Sequence, residues 1–272
     1  MTAGARYGRL DFRMAVLALA VPCIAGLLYL ALFGAPASYA LINAVALVAA
    51  LLWIFVGRLP QARLWRRYAA LGLIVLLALP LLTGPSIHGV ARWLSLGGFG
   101  LHAGMLTIPL LAVLAASDRA AGAYLMLAAT LVAFAQPDAA SVLALSLASF
   151  GMWVGHRDGK AGAVAALGLF ATVAASFAGD LPPQQFVERV IPDLSASSPA
   201  MAAALGGALI VSIALIAWRT NTPLAQRLAL AGTLTGFTLA ALLGNYPYPL
   251  IGYGAAAILG FGFALCPPTS RA

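Results

Sequence analysis

The chain is short of charge, of acids, of lysine and of cysteine, and each shortage excludes something. Only 8% of its 272 residues are charged while 63% are hydrophobic, and mean hydropathy is +0.99. A soluble domain carries about 25% charged residues. This chain cannot cover a core with a wettable surface, so it is an integral membrane protein. Cys23 and Cys266 lie in apolar runs near opposite ends, with neither a disulfide framework nor a metal-ligand spacing. Seven acids stand against fifteen lysines and arginines, a formal charge of +8. A surplus of that sign can mark nucleic-acid binding, but these arginines come singly or in short clusters between apolar spans. That pattern is a topology signal, and no nucleic-acid partner is expected.

What is present is a series of apolar runs near the length of a spanning helix, roughly 17–25 residues. They cover 14–33, 39–56, 68–82, 104–116, 120–135, 139–154, 161–178, 200–218, 228–243 and 249–265. The fourth is short and must borrow from its flanks. No small-residue cleavage site follows the first, which reads as a retained helix. Gln136-Pro137-Asp138 would also permit one kinked helix in place of two. Charge decides between them. With the N-terminus inside, Arg6, Arg9, Arg13, Arg58, Arg63, Arg66, Arg67, Arg119, Arg157, Lys160, Arg219, Arg227 and Arg271 are cytoplasmic, thirteen of the fifteen basic residues. Arg92 and Arg189 fall outside. Merging the helices around Pro137 would send Arg157 and Lys160 outside as well. The expected architecture is an all-α polytopic bundle of about ten helices, one domain over 1–272, with both termini cytoplasmic.

Asp138, Asp180, Glu188 and Asp193 fall on the outer side with Arg92, Arg189, His88 and His102. Asp11, Asp118 and Asp158 sit beside cytoplasmic arginines, where a solvated ion pair is the ordinary expectation. The long outer loops 84–103 and 179–199 are where function is expected. Arg92-Trp93 is suited to gripping a phosphate or pyrophosphate with a planar guanidinium; an interfacial anchor pair explains the same residues. Asp138 is an acid at a membrane interface and also a fit N-cap for the next helix. In Asn245-Tyr246-Pro247-Tyr248-Pro249 the two prolines force an extended entry to the last span, and a purely packing role accounts for it equally. Asp180, Glu188, Arg189 and Asp193 hold carboxylates that suit a general base or simply a wet loop. His88 and His102 have no partner at ligand spacing, so no metal is expected.

Three of these stretches, in order, resemble the SEDS proteins (shape, elongation, division and sporulation), the RodA/FtsW type of membrane glycosyltransferase. Gly84, then Gly89 through Arg92-Trp93-Leu94-Ser95-Leu96-Gly97-Gly98-Phe99, is similar to the family's G-A-R-R-W-I-x-L-G-x-F run. Gln136-Pro137-Asp138 is similar to its Q-P-D-L-G-T-A. Asn245–Ala257, with Pro247, Pro249, Tyr253 and Gly254, is similar to its G-L-P-L-P-F-I-S-Y-G-G-S-S. Two departures accompany the match. The family's Q-P-S-E-L-x-K falls on His102–Ile108, which lacks the acid and the lysine. The family's L-P-E-x-H-T-D-F falls on Ile191–Ser198, so Asp193 takes the glutamate's place and Ser197 that of the presumed catalytic aspartate. Much of the preceding loop is missing.

The resemblance implies a protein of the bacterial inner membrane that acts on, or binds, lipid-linked peptidoglycan precursor (lipid II) in cell division or shape control. It would make Arg92, Trp93 and Arg189 the pyrophosphate-binding group and leave Asp193 or Asp138 to supply a base. Gln136, Pro137, Pro247, Pro249, Tyr253 and Gly254 would be the structural motif. It further implies a single-span transpeptidase partner and no cofactor, with a divalent cation admitted by the family. A serine has no carboxylate to accept a proton near neutral pH, so a non-catalytic paralogue regulating a partner synthase is the alternative. A lipid transporter or flippase, suggested only by the number of spans, is the third reading.

Overall fold

A computed structural model describes residues 3–84, 90–96, 99–178, 182–219 and 221–266. Of the residues singled out above, His88, Gly89, Gly97, Gly98, Asp180 and Arg271 lie outside the described residues. The order is α1 (Ala3–Leu32), α2 (Ala37–Val56), α3 (Arg63–Ala78), α4 (Pro80–Thr83), β1 (Trp93–Leu96), β2 (Phe99–His102), α5 (Ala103–Ala116), α6 (Gly122–Ala135) and α7 (Ala139–His156). There follow α8 (Gly159–Ser176), α9 (Val190–Ser197), α10 (Pro199–Ala217), α11 (Leu224–Leu243) and α12 (Ala255–Ala264). The protein is an all-α polytopic membrane bundle carrying one small hairpin.

Each expected span overlaps a helix, the third falling on α3 and α4 and the last helical only from Ala255, and seven described segments are long and apolar enough to cross a membrane. The other three are shorter: α5 and α6 have 14 residues each and α12 has 10. α5 is buried on nearly all sides, and a helix that is apolar all round belongs in an interior. α6 and α7 are separate helices. Gln136 ends the first and Asp138 caps the second, its carboxylate accepting from the Ser141 amide.

Glycines set the closest approaches. α7 and α11 run antiparallel with glycines on both sides of the seam. A Cβ built at Gly151 or Gly155 would lie 2.4 Å from backbone atoms of Leu228 or Ala225. One built at Gly232 or Gly236 would lie 2.3 or 2.5 Å from backbone atoms of Leu147 or Ala144. Both pairs have the small-xxx-small spacing by which membrane helices meet without a hydrophobic driving force. Large apolar side chains of α1, α2, α3, α8 and α10, such as Leu32, Val56, Phe170 and Ile210, are exposed and form a lipid-facing surface.

Where solvated ion pairs were expected at the arginine-rich end, the Asp11–Arg219 pair is buried on both sides, whereas Asp118 is buried but its partners Arg63 and Arg67 stay 57% and 37% exposed. Asp118, 4% exposed, accepts from Arg63 and Arg67 of α3 and from the Ala120 and Ala121 amides. Asp11 and Arg219, also buried, meet at 3.5 Å, and Asp11 accepts from Thr222 and the Asn221 amide. Asp158 caps α8 through the Lys160 amide. Asp118 and Asp158 lie just before helices whose entry amides point at them, while Asp11, inside α1, takes the Asn221 amide from a distant loop; these hydrogen bonds help keep a buried carboxylate tolerable.

The Arg63 hydrogen bond, foremost, holds the Asp118 carboxyl well below the usual carboxylate range. A depressed carboxyl stabilises the fold above its unfolded pKa, and that contribution is lost on acidification below it. Asp118→Asn is therefore expected to lower the melting temperature at neutral pH. The gap from wild type should narrow as pH falls below 3.8. Thermal unfolding against pH in one detergent measures it.

Candidate functional site

At the opposite end of α7, about 27 Å away at 1.5 Å per residue, the three sequence motifs come together. Strand alternation in 93–96 gives a hairpin where a plain loop was expected, and its register sets Trp93 opposite His102. His102 then caps α5, its Nδ1 accepting from the Met105 amide at 3.3 Å. That bond leaves the neutral ring's hydrogen on Nε2, which lies 3.5 Å from an Asp138 carboxylate oxygen. The same Asp138 oxygen accepts from the Ser141 hydroxyl. Gly104 gives the room for this, since a Cβ there would strike Ser141 Oγ.

Burial pushes the His102 imidazole down to about 4; Asp138 opposes that shift and Arg92 adds to it. A folded-state value below the ordinary 6.5 means that the unfolded chain binds the proton more readily. Stability is complete above 6.5 and declines as pH falls toward about 4. Protonating Nδ1 also removes the cap on α5. Melting temperature should drop across that window in wild type, and His102→Gln should flatten the drop.

Arg92 is 1% exposed and heads the largest fully buried side chains. Its guanidinium carbon lies 4.6 Å from the Trp93 ring centroid and 5.0 Å from that of Tyr246. Among the described residues, Nε and Nη1 have no hydrogen-bond partner. A snorkelling anchor would reach water; this one does not, so the anchor reading of Arg92 is set aside.

The 244–254 segment closes one side of the site. The Tyr248 and Tyr253 amides donate to Val187 and Phe186 carbonyls, and Pro247 bridges to Glu188. Tyr253 stacks on Tyr39 of α2, with centroids 3.7 Å apart. Gly254 has φ +156°, a conformation that L side chains rarely adopt. Buried Asn43 of α2 clasps the turn, donating to the Gly252 carbonyl at 2.9 Å and accepting from the Gly254 amide at 3.1 Å. Asn43→Ala strands both groups and is expected to cost about 2 kcal/mol, read as a lowered melting temperature.

Between the hairpin and this segment lies a cavity of about 390 Å³, lined by Trp93, His102, Gln184, Pro247, Tyr253 and Gly254 among others. Arg92 and Asp138 sit behind its wall, Arg92 against Trp93 and Asp138 against His102. Gln136 is fully buried and donates to the Leu77 carbonyl, tying the end of α6 to α3 next to Pro137. Arg189 and Asp193 are not brought into the cluster. They pair with each other across one turn of α9 at 3.2 Å, 47% and 65% exposed, and do not line the cavity. Ser197 donates to the Asp193 carbonyl on the same exposed helix. Among the described residues no three or more His, Cys, Asp or Glu side chains are grouped to hold a metal ion. Asn43 and Ser141 were given no site role from the sequence, and Tyr246 was named only within the double-proline motif.

Helix arrangement and site together define a multi-pass membrane protein with an aromatic-lined cavity backed by buried charge at one end. Its architecture is that of the rod-shape-determining protein RodA. RodA of Thermus thermophilus matches with a TM-score of 0.66 at 20% identity, over 92% of this chain and 94% of its own. An aspartate-to-alanine mutant of that RodA matches at 0.66 and 21%, over 92% and 95%. A chain from a peptidoglycan synthase complex, described for the coordination of polymerization and crosslinking, matches at 0.58 and 22%, over 92% and 95%. No family model and no curated protein sequence matches.

Proposed function

We propose that this chain is a SEDS-type protein of peptidoglycan synthesis in the bacterial inner membrane, with both termini cytoplasmic. Its cavity receives the lipid-linked disaccharide precursor at the outer face. The observation that carries the reading is convergence: Arg92-Trp93, Asp138 and the double-proline segment, far apart in sequence, enclose or back one cavity. Arg92 faces the pyrophosphate, and the aromatic and amide lining faces the sugars. The RodA fold supports the same assignment.

A second observation favours precursor binding and regulation of a partner synthase over polymerisation. Among the described residues no carboxylate lines the cavity. Asp138 is fully buried and occupied with capping, whereas Asp193 lies on an exposed helix. Neither is placed to take a proton from a sugar hydroxyl, which requires hydrogen-bonding reach. We propose a single-span transpeptidase as the partner and binding without a cofactor. Precursor binding should be equal in EDTA and in magnesium. The test is purified protein supplied with lipid II: retained precursor without glycan polymer supports the reading. Polymer that disappears in Asp193→Ala would establish a polymerase instead.

A further inference from the structure

The strongest unexplained feature is Arg92, a cation withdrawn from water with two guanidinium nitrogens unpaired among the described residues. An isolated buried charge is costly unless paired and hydrogen-bonded. Here two ring faces cover the guanidinium, which also hydrogen-bonds the Tyr246 side chain, and two guanidinium nitrogens are left without acceptors among the described residues. Tyr246 belongs to the segment clasped by Asn43 and bridged to Glu188, so it is held in place. Trp93 is different. It is partly exposed, lines the cavity with one part of its surface and covers Arg92 with another. Gly100, across the hairpin, leaves the indole room: a Cβ there would come no nearer than 3.8 Å to Trp93 Cδ1.

We propose that Trp93 is a gate over an anion site. With the indole seated as here, the site is closed and Arg92 is held by cation–π contact. When the indole swings aside, the unpaired Nε and Nη1 face a diphosphate arriving through the cavity. A diphosphate matches the planar fork of the guanidinium. The gate keeps the arginine covered until the ligand supplies acceptors to the two nitrogens unpaired among the described residues. The inference rests on the precursor reading above and adds the regulation of that site.

Phenylglyoxal, which modifies accessible guanidinium groups, reads the gate directly. The full chain in lipid nanodiscs is labelled, and modification of Arg92 is followed by peptide mass spectrometry. Wild-type Arg92 should react slowly. In Trp93→Ala the rate should rise about tenfold, the order expected for losing a desolvated cation–π contact. Inorganic pyrophosphate should suppress that labelling, and vesicles containing undecaprenyl pyrophosphate should do so at lower concentration if the ligand is the lipid-linked form. Gly100→Leu, which crowds the indole without touching Arg92, should label more slowly than wild type. It keeps the question open to measurement should Trp93→Ala not fold.

Unchanged labelling in folded Trp93→Ala, or unchanged labelling in Gly100→Leu, overturns the gate. Faster labelling that neither form of pyrophosphate suppresses overturns the anion site. Lipid II binding separates the two levels. Saturable binding with Arg92 labelling unmoved by Trp93→Ala sinks the gate alone. Pyrophosphate protection without any lipid II binding supports the gate and sinks the precursor reading.

Discussion

Gly236→Leu is expected to prevent the bundle from assembling. The Cβ alone would lie 2.5 Å from Ala144 Cα, and backbone cannot yield as a side-chain end can. Gly232, one turn earlier on the same face, meets Leu147 in the same way. Overpacking a well-packed core costs about 1–3 kcal/mol where rotamers can adjust, and more where they cannot. The α7–α11 seam falls in the second class, because both helices contribute backbone to the contact. Detergent extracts run by size exclusion should show Gly236→Leu only as aggregate. Gly72→Leu, on an exposed face of α3 with nothing within 4 Å, should run as wild type. A monodisperse Gly236→Leu with an unchanged melting temperature would mean the seam is looser than described.

Arg92→Ala carries the second largest effect, and it falls on function. Removing the guanidinium takes away the buried cation that acts on both His102 and Tyr246, together with two ring contacts of roughly 0.5–2 kcal/mol each. Lipid II binding should fall by at least about 100-fold, equivalent to about 2.7 kcal/mol. Arg92→Lys should recover only part of the loss, because an ammonium neither stacks between two rings nor presents a fork. Binding that persists in a folded Arg92→Ala would remove Arg92 from the site.

Much of the fold was legible because lipid imposes a blunt rule: backbone polar groups must be satisfied within the helix, so apolar runs become spans. Arginine placement separated α6 from α7 correctly where hydropathy alone did not. The short helices were harder. α12 begins at Ala255, after the clasped turn, because prolines at 247 and 249 hold the chain extended and Gly254 takes a left-handed value. Sequence marked where the motif began and not where the helix did.

For the site, spacing identified Arg92-Trp93, Asp138 and the double-proline run as separate features. It did not show that His102 bridges the first two. A histidine without a partner at ligand spacing looked inert, yet strand register puts it opposite Trp93 and 3.5 Å from Asp138. Asn43 gave no signal at all. A lone amide in an apolar helix gains its meaning from the turn it holds, 209 residues further along the chain. The α9 residues show the reverse. Arg189 and Asp193 looked like site residues in an outer loop, and four-residue helical spacing turns them toward each other instead.

Lipid II titrated into wild-type protein in nanodiscs, with Arg92→Ala alongside and glycan products run from the same samples, tests the account most directly. The account predicts saturable binding by wild type, its loss in Arg92→Ala, and no polymer in either. Absence of saturable binding by folded wild type would contradict the cavity's assignment. Polymer formed by wild type and lost in Asp193→Ala would contradict its non-catalytic role.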